Sequence, residues 1–168
     1  MGARVPDDRV PDDRGIEASS AVARARALFL ADEGAYGCAE TTFLVLKEAF
    51  GLPDAADPGA AMALNGGVAW RGGTCGAVTG AALAVGQASL AWSPDPETAK
   101  RDARRIMGGL IDDFEAEFGA FDCRTLIGRD ISTPEGHAAF IADGGWKISC
   151  TRQIEFAVGR LAGRSAKA

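Results

Sequence analysis

The chain has 168 residues, 47% of them apolar and 24% charged, with a formal net charge of −5. That length supports one domain with its own hydrophobic core, and the composition is that of an ordinary globular protein. The acidic balance argues against nucleic acid or an anionic membrane as the main partner, since both repel it.

The chain opens with VPDDR written twice, at residues 5–9 and 10–14. Such Pro, Asp and Arg content cannot bury apolar surface, so residues 1–15 are expected to form a disordered tail, as are residues 164–168. There is neither the basic start and apolar stretch of a secretory signal nor a twin arginine, and the expected location is the cytoplasm. Residues 16–163 are expected to form a single helical domain.

Helical periodicity then dominates, with no strand alternation. A first helix is predicted from 16 to about 32, with Val22, Ala25, Leu28 and Phe29 on one side. Gly34 and Gly37 precede a second helix from 38 to 50, closed by Gly51 and Pro53. A short helix around 58–64 runs into Asn65-Gly66-Gly67, a helix stop with a left-handed turn. Residues 72–94 carry no charge, and small residues populate the helix within them. That run is too weakly apolar to span a membrane, and it predicts the most buried helix of a compact bundle.

Ser93-Pro94-Asp95-Pro96-Glu97 is a strong helix start. The stripe that follows, Ala99, Ala103, Ile106, Met107, Leu110, Phe114 and Phe118, predicts a long amphipathic helix ended by Gly119. Its acidic residues Asp112, Asp113, Glu115 and Glu117 read as a solvated face. Ser132-Thr133-Pro134-Glu135 starts a short helix toward 142, closed by Gly144-Gly145, and a last helix is predicted from about 150 to 161. The expected fold is all-α, a compact bundle of five to seven helices around a buried small-residue central helix.

The four cysteines, Cys38, Cys75, Cys123 and Cys150, include no C-x-x-C pair, so zinc-ribbon and thioredoxin-like spacings are absent. Each follows a glycine or a capping residue at a predicted helix start. There the free amides and the dipole favour an anion, and a thiolate is both the nucleophile and the metal ligand. Cys75, with Gly72 and Gly73 before it, Gly76 after it and Arg71 nearby, is expected to be the most acidic thiol and the one most open to a partner. Taken singly, each cysteine also reads as a small apolar core residue, Cys150 lying in register with Ile154, Ala157 and Leu161. Taken together, the common placement predicts that at least three of the sulfurs lie close to one another. His137, the only histidine, sits in a polar helix start and reads as solvated or packed. Trp70, Trp92 and Trp146 read as packing residues, and Arg71 either balances an anionic cofactor or is a rim charge. No Ser-His-Asp or Walker pattern is present.

The segments YGCAETTFLVLKEAFG, NGGVAWRGGTCGAVTGAALAVG, FEAEFGAFDCRTLIGRDIS and SCTRQIEFAVGRL, in that order, resemble the redox-active family written C_GCAxxG_C_C. Cys75-Gly76-Ala77-Val78-Thr79-Gly80 matches its named core, and the resemblance extends from 21 to 161. It implies a redox protein carrying an iron–sulfur or similar group and working beside an oxidoreductase or a transporter-associated protein. The expected ligands are Cys38, Cys75, Cys123 and Cys150, within one chain or shared across a homodimer, with Gly73, Gly76 and Arg71 lining the cofactor. A cofactor-free thiol–disulfide sensor or carrier stays open, as does a docking module that is zinc-stapled or metal-free.

Overall fold

The computed structural model describes residues 13–31 and 35–164. Residues 1–12, which hold all of the VPDDR duplication but its last two residues, and the last four residues lie outside them. Seven α-helices follow in order: α1 Asp13–Ala31, α2 Cys38–Ala49, α3 Gly76–Trp92, α4 Pro96–Phe118, α5 Cys123–Ile127, α6 Pro134–Asp143 and α7 Trp146–Leu161. A 3-10 turn, Gly59–Leu64, sits between α2 and α3. The described residues contain no strand, only one isolated antiparallel bridge between Thr74 and Asp122. None of their helices is long and apolar enough to cross a membrane.

The boundaries follow local chemistry. Asp95 caps α4 by accepting from the amide of Thr98 at 2.9 Å, with Pro96 in the first turn, and Gly119 at φ 78° ends the helix. Thr133 caps α6 through the Gly136 amide at 3.1 Å, and Gly144 at φ 68° closes it. α1 begins at Asp13, three residues before the predicted start at Ile16.

The α4 stripe packs as its periodicity requires, with Ala99, Ile106, Leu110 and Phe114 buried. Of the acids on its other face, Asp113 pairs with Arg160 and Glu117 with Arg152, tying the helix to α7.

α3 lies at the centre of the bundle, in contact with α2, α4, α7 and the 3-10 turn. It is not the most enclosed helix, however. Nine of its 17 residues are buried, against nine of 12 in α2, and Leu90 on α3 is 62% exposed. α2 is covered by α1, α3, α7 and the 3-10 turn, so polar residues are buried on it as well. Lys47 is the clearest case. Its ammonium donates to the carbonyl of Asp57 at 3.1 Å and lies 4.7 Å from the Phe43 ring centroid, so the loop after α2 solvates the buried charge.

Candidate functional site

Two glycines set the crossing of α2 and α3. A Cβ on Gly80 would lie 2.3 Å from the Ala39 carbonyl oxygen, and one on Gly76 would lie 2.2 Å from Cys38 Sγ. The two small residues, four apart on one face of α3, let the backbones touch. The space that Gly76 leaves is filled by the sulfur of Cys38. The glycines around Cys75 therefore do not open its sulfur to an outside partner, as the sequence suggested. Cys75 is 3% exposed, and its thiol donates to Gln153 Oε1 at 3.6 Å.

Loop pairing brings in Cys123. The Cys75 amide donates to the Phe121 carbonyl at 2.8 Å, and the Cys123 amide donates to the Gly73 carbonyl at 2.7 Å. Gly73 thus contributes its backbone to the clasp between these two loops. Cys123 then opens α5, whose cap is Asp122 accepting from Thr125 at 2.9 Å. Cys75 belongs to the main core, Cys123 to a second small core with Ile131 and Phe140, and Cys150 packs against both. Cys150 thus lies at the seam between the two cores, with Cys75 and Cys38 on one side and Cys123 on the other.

Three of the four occupy helix starts: Cys38 is the first residue of α2, Cys75 the N-cap of α3 and Cys123 the first residue of α5. Cys150 does not. α7 starts at Trp146, because Gly144 and Gly145 release the chain straight into a new turn, with Lys147 and Ser149 donating back to their carbonyls. Cys150 therefore sits in the second turn of α7, where its amide belongs to the helix rather than to an anion.

All four cysteines are free thiols, Cys75 and Cys123 buried and Cys38 and Cys150 half-buried. Burial pushes the Cys75 thiol well up, and any charge on Cys38, Cys123 or Cys150 pushes it further. Cys123 is pushed up to about 12 by burial, then by Cys38 and Asp122. Cys150 is raised by burial and by Cys38 and Cys123. Every pair among the four is represented, so the sulfurs share one electrostatic neighbourhood. The expectation that Cys75 is the most acidic thiol is overturned, because loss of solvent outweighs the helix start. Cys38 is also raised by burial, yet the backbone amides of Gly66, Ala39, Cys38 and Gly76 all favour its anion, against Ala77 alone for Cys75. The best-developed anion nest is at Cys38.

That nest is held by Asn65, which the sequence presented only as a helix stop. Its Oδ1 accepts from the Ala39 amide at 3.0 Å, and its Nδ2 donates to Glu40 Oε2 at 2.8 Å. The same Glu40 oxygen accepts from the Gly37 amide at 2.8 Å, so a buried carboxylate and a buried amide brace the start of α2. Directly after Asn65, Gly66, Gly67, Val68, Ala69 and Trp70 all have φ between 49° and 70°. A left-handed turn through three residues with side chains stores strain, which the surrounding bonds must hold. Among these are Gly72 to Gly66 at 3.0 Å and Gly73 to Gly67 at 2.9 Å. Asn65→Ala leaves the Ala39 amide and a Glu40 oxygen short of a partner, and is expected to cost about 2 kcal/mol in urea unfolding.

Beside the nest lies a cavity of about 740 Å³, and both Cys38 and Cys150 line it. His137 lines it too, its ring 4.3 Å from that of Trp70 and its Nε2 buried without a hydrogen-bond partner. Trp146 is another wall, packed edge-on against Phe29 at 5.3 Å, and its Nε1 is likewise buried and unpaired. The helical pattern around His137 gave no sign of this, because the wall it faces is built from α1, α2, α7 and the left-handed turn. Trp92 packs away from the cavity, against Phe50. Arg71 lies exposed, with its charge beside Asp130. Among the described residues, no three His, Cys, Asp or Glu side chains stand at metal-holding distance.

A family profile described as "Putative redox-active protein (C_GCAxxG_C_C)" matches residues 36–162, a span that holds all four cysteines, Asn65 and the cavity-lining His137 and Trp146. No curated protein and no solved structure matches the chain.

Proposed function

The chain belongs to the C_GCAxxG_C_C redox-active family, and from that premise we propose that Cys38, Cys75, Cys123 and Cys150 hold an iron–sulfur or related metal cofactor that passes electrons to an oxidoreductase or transporter-associated partner. The observation that carries this reading is the electrostatic coupling among the four thiols: charge on Cys38, Cys123 and Cys150 opposes ionisation of Cys75, charge on Cys38 and Cys123 opposes that of Cys150, and charge on Cys38 opposes that of Cys123. Four thiolates in one buried place repel unless a cation lies among them, and thiolate donors are what iron–sulfur centres use. The donor chemistry fits; closure of the four sulfurs onto one centre is part of the proposal. The bound group would supply one-electron storage. The amides of Gly66, Ala39, Cys38 and Gly76 would offset negative charge at Cys38. The second core, with Ile131 and Phe140, would keep water from Cys123. Gly73 and Gly76 serve this site by holding Cys75 against Cys123 and Cys38. Arg71 on the rim would give an acidic partner a point of approach.

A second reading has an observation of its own. The four thiols are free, and no three donors among the described residues stand at metal-holding distance. Thiol–disulfide exchange needs only two of the four, which release two electrons and two protons as they join. Iron, zinc and acid-labile sulfide analysis of protein purified under nitrogen separates the two. Iron and sulfide bound to the chain, and lost in Cys75→Ser, are expected. Metal-free protein whose titratable thiols fall from four to two on mild oxidation, and return with dithiothreitol, would replace the first reading with the second.

A further inference from the structure

Among the described residues, five buried side-chain polar atoms have no hydrogen-bond partner, and two of them, His137 Nε2 and Trp146 Nε1, belong to walls of the same cavity. An unpaired buried polar group is costly, so two in the walls of one cavity invite a partner that enters it. The indole N–H only donates, so that partner must accept. Phe29, Tyr36, Trp70, Phe140 and Trp146 give the cavity aromatic walls, which suit a flat ring. Lys147 also stands at this cavity, beside the Trp146 ring. Glu40 lines the cavity as well, with its Oε2 engaged by the Gly37 amide and Asn65.

We propose that this cavity binds a small planar carbonyl compound of the quinone class, its ring between the aromatic walls and its oxygens accepting from Trp146 and His137. Both nitrogens are buried within the walls, so the proposal requires each ring to turn and present its N–H, for His137 the Nε2–H tautomer, to the ligand. The choice of a quinone among flat acceptor-bearing rings rests on the redox reading above. On the thiol–disulfide reading, two thiols of the site joining in a disulfide release the two electrons and two protons that convert a quinone to its quinol, so the pairing balances without a further reagent. Cys38 and Cys150 line this cavity and are the sulfurs nearest to such a ligand.

The test is calorimetric titration of the full chain, purified under nitrogen, with duroquinone, whose methylated ring blocks arylation of thiols. One saturable site is expected. Durene, the same methylated ring without carbonyl oxygens, should bind at least tenfold more weakly. Trp146→Phe and His137→Phe, which keep a ring in each wall, should each weaken duroquinone binding roughly three- to tenfold, the worth of one hydrogen bond. Trp92→Phe, on the far side, should leave it unchanged. Absence of saturable binding to the folded wild type, or equal affinity for durene and duroquinone, overturns the proposal without any variant needing to fold. Unchanged affinity in both ring variants overturns the assigned donors. None of these readouts depends on electron transfer, so they fail or succeed separately from the metal and thiol analyses.

Discussion

Gly80→Ala and Gly86→Ala, the same change on the same helix six residues apart, will move stability in opposite directions. At Gly80 the new methyl group would sit 2.3 Å from the carbonyl oxygen of Ala39 and 3.1 Å from its carbonyl carbon and Cα. Those atoms are backbone of the most enclosed helix in the bundle, so relief requires α2 and α3 to separate. That movement would also open the packing of Leu46 and Val85, both at most 1% exposed. A loss of about 3 kcal/mol is expected, the upper range for overpacking. At Gly86 an added Cβ meets nothing within 4 Å, and the residue is helical. There alanine gains helix propensity and should add about 0.5–1 kcal/mol. Urea unfolding of the reduced protein at neutral pH reads both. A loss below about 1 kcal/mol for Gly80→Ala would mean the two helices slide freely, and the close crossing that places Cys38 beside Gly76 would lose its support.

That pair of glycines also shows how far the sequence could be read. Helix punctuation was legible because it is local chemistry: Asp95 with Pro96, Thr133 with Pro134, and Gly119 and Gly144 at positive φ act within one turn of themselves. The GAVTG spacing of Gly76 and Gly80 was visible as a pattern. What it serves, room for the Cys38 sulfur and the Ala39 carbonyl, depends on a helix almost forty residues earlier. The same distance hid Asn65, whose side chain braces the start of α2 across 26 residues. Val68, Ala69 and Trp70 gave no warning of their left-handed backbone, since residues with side chains avoid it and only tertiary bonds hold them there. Cys150 misled for a simpler reason: Ser149 resembles a cap, but Gly144 and Gly145 had already started the helix. The expectation that the sulfurs gather was drawn from a shared helix-start position that only three of them have.

Raising the pH from 8 to 10 should strongly destabilise the reduced, metal-free chain. In the unfolded chain thiols lose their protons near their ordinary value of about 8.5. In the folded chain burial holds all four above it, Cys123 at about 12. Above the unfolded value the native state therefore binds more protons than the unfolded state, and stability falls as pH rises. The sign is that of a raised group: its contribution is complete below the unfolded value and is lost on the way up to the folded one. Each such thiol removes about 1.4 kcal/mol per pH unit, so four together remove on the order of 5 kcal/mol per unit. That is comparable to the whole stability of many domains, which is about 5–15 kcal/mol. Urea midpoints at pH 7, 8, 9 and 10, with reductant and chelator present, should decline steeply only above about pH 8.5. Replacing the four cysteines by serine should remove most of that decline. Iodoacetamide should label the native thiols slowly through the same range, Cys75 and Cys123 slowest, since both are buried. A flat stability profile to pH 10, or rapid labelling of Cys75 at pH 8, would show that its sulfur is hydrated and ionises as a free thiol does, and that the seam between the two cores is open to water.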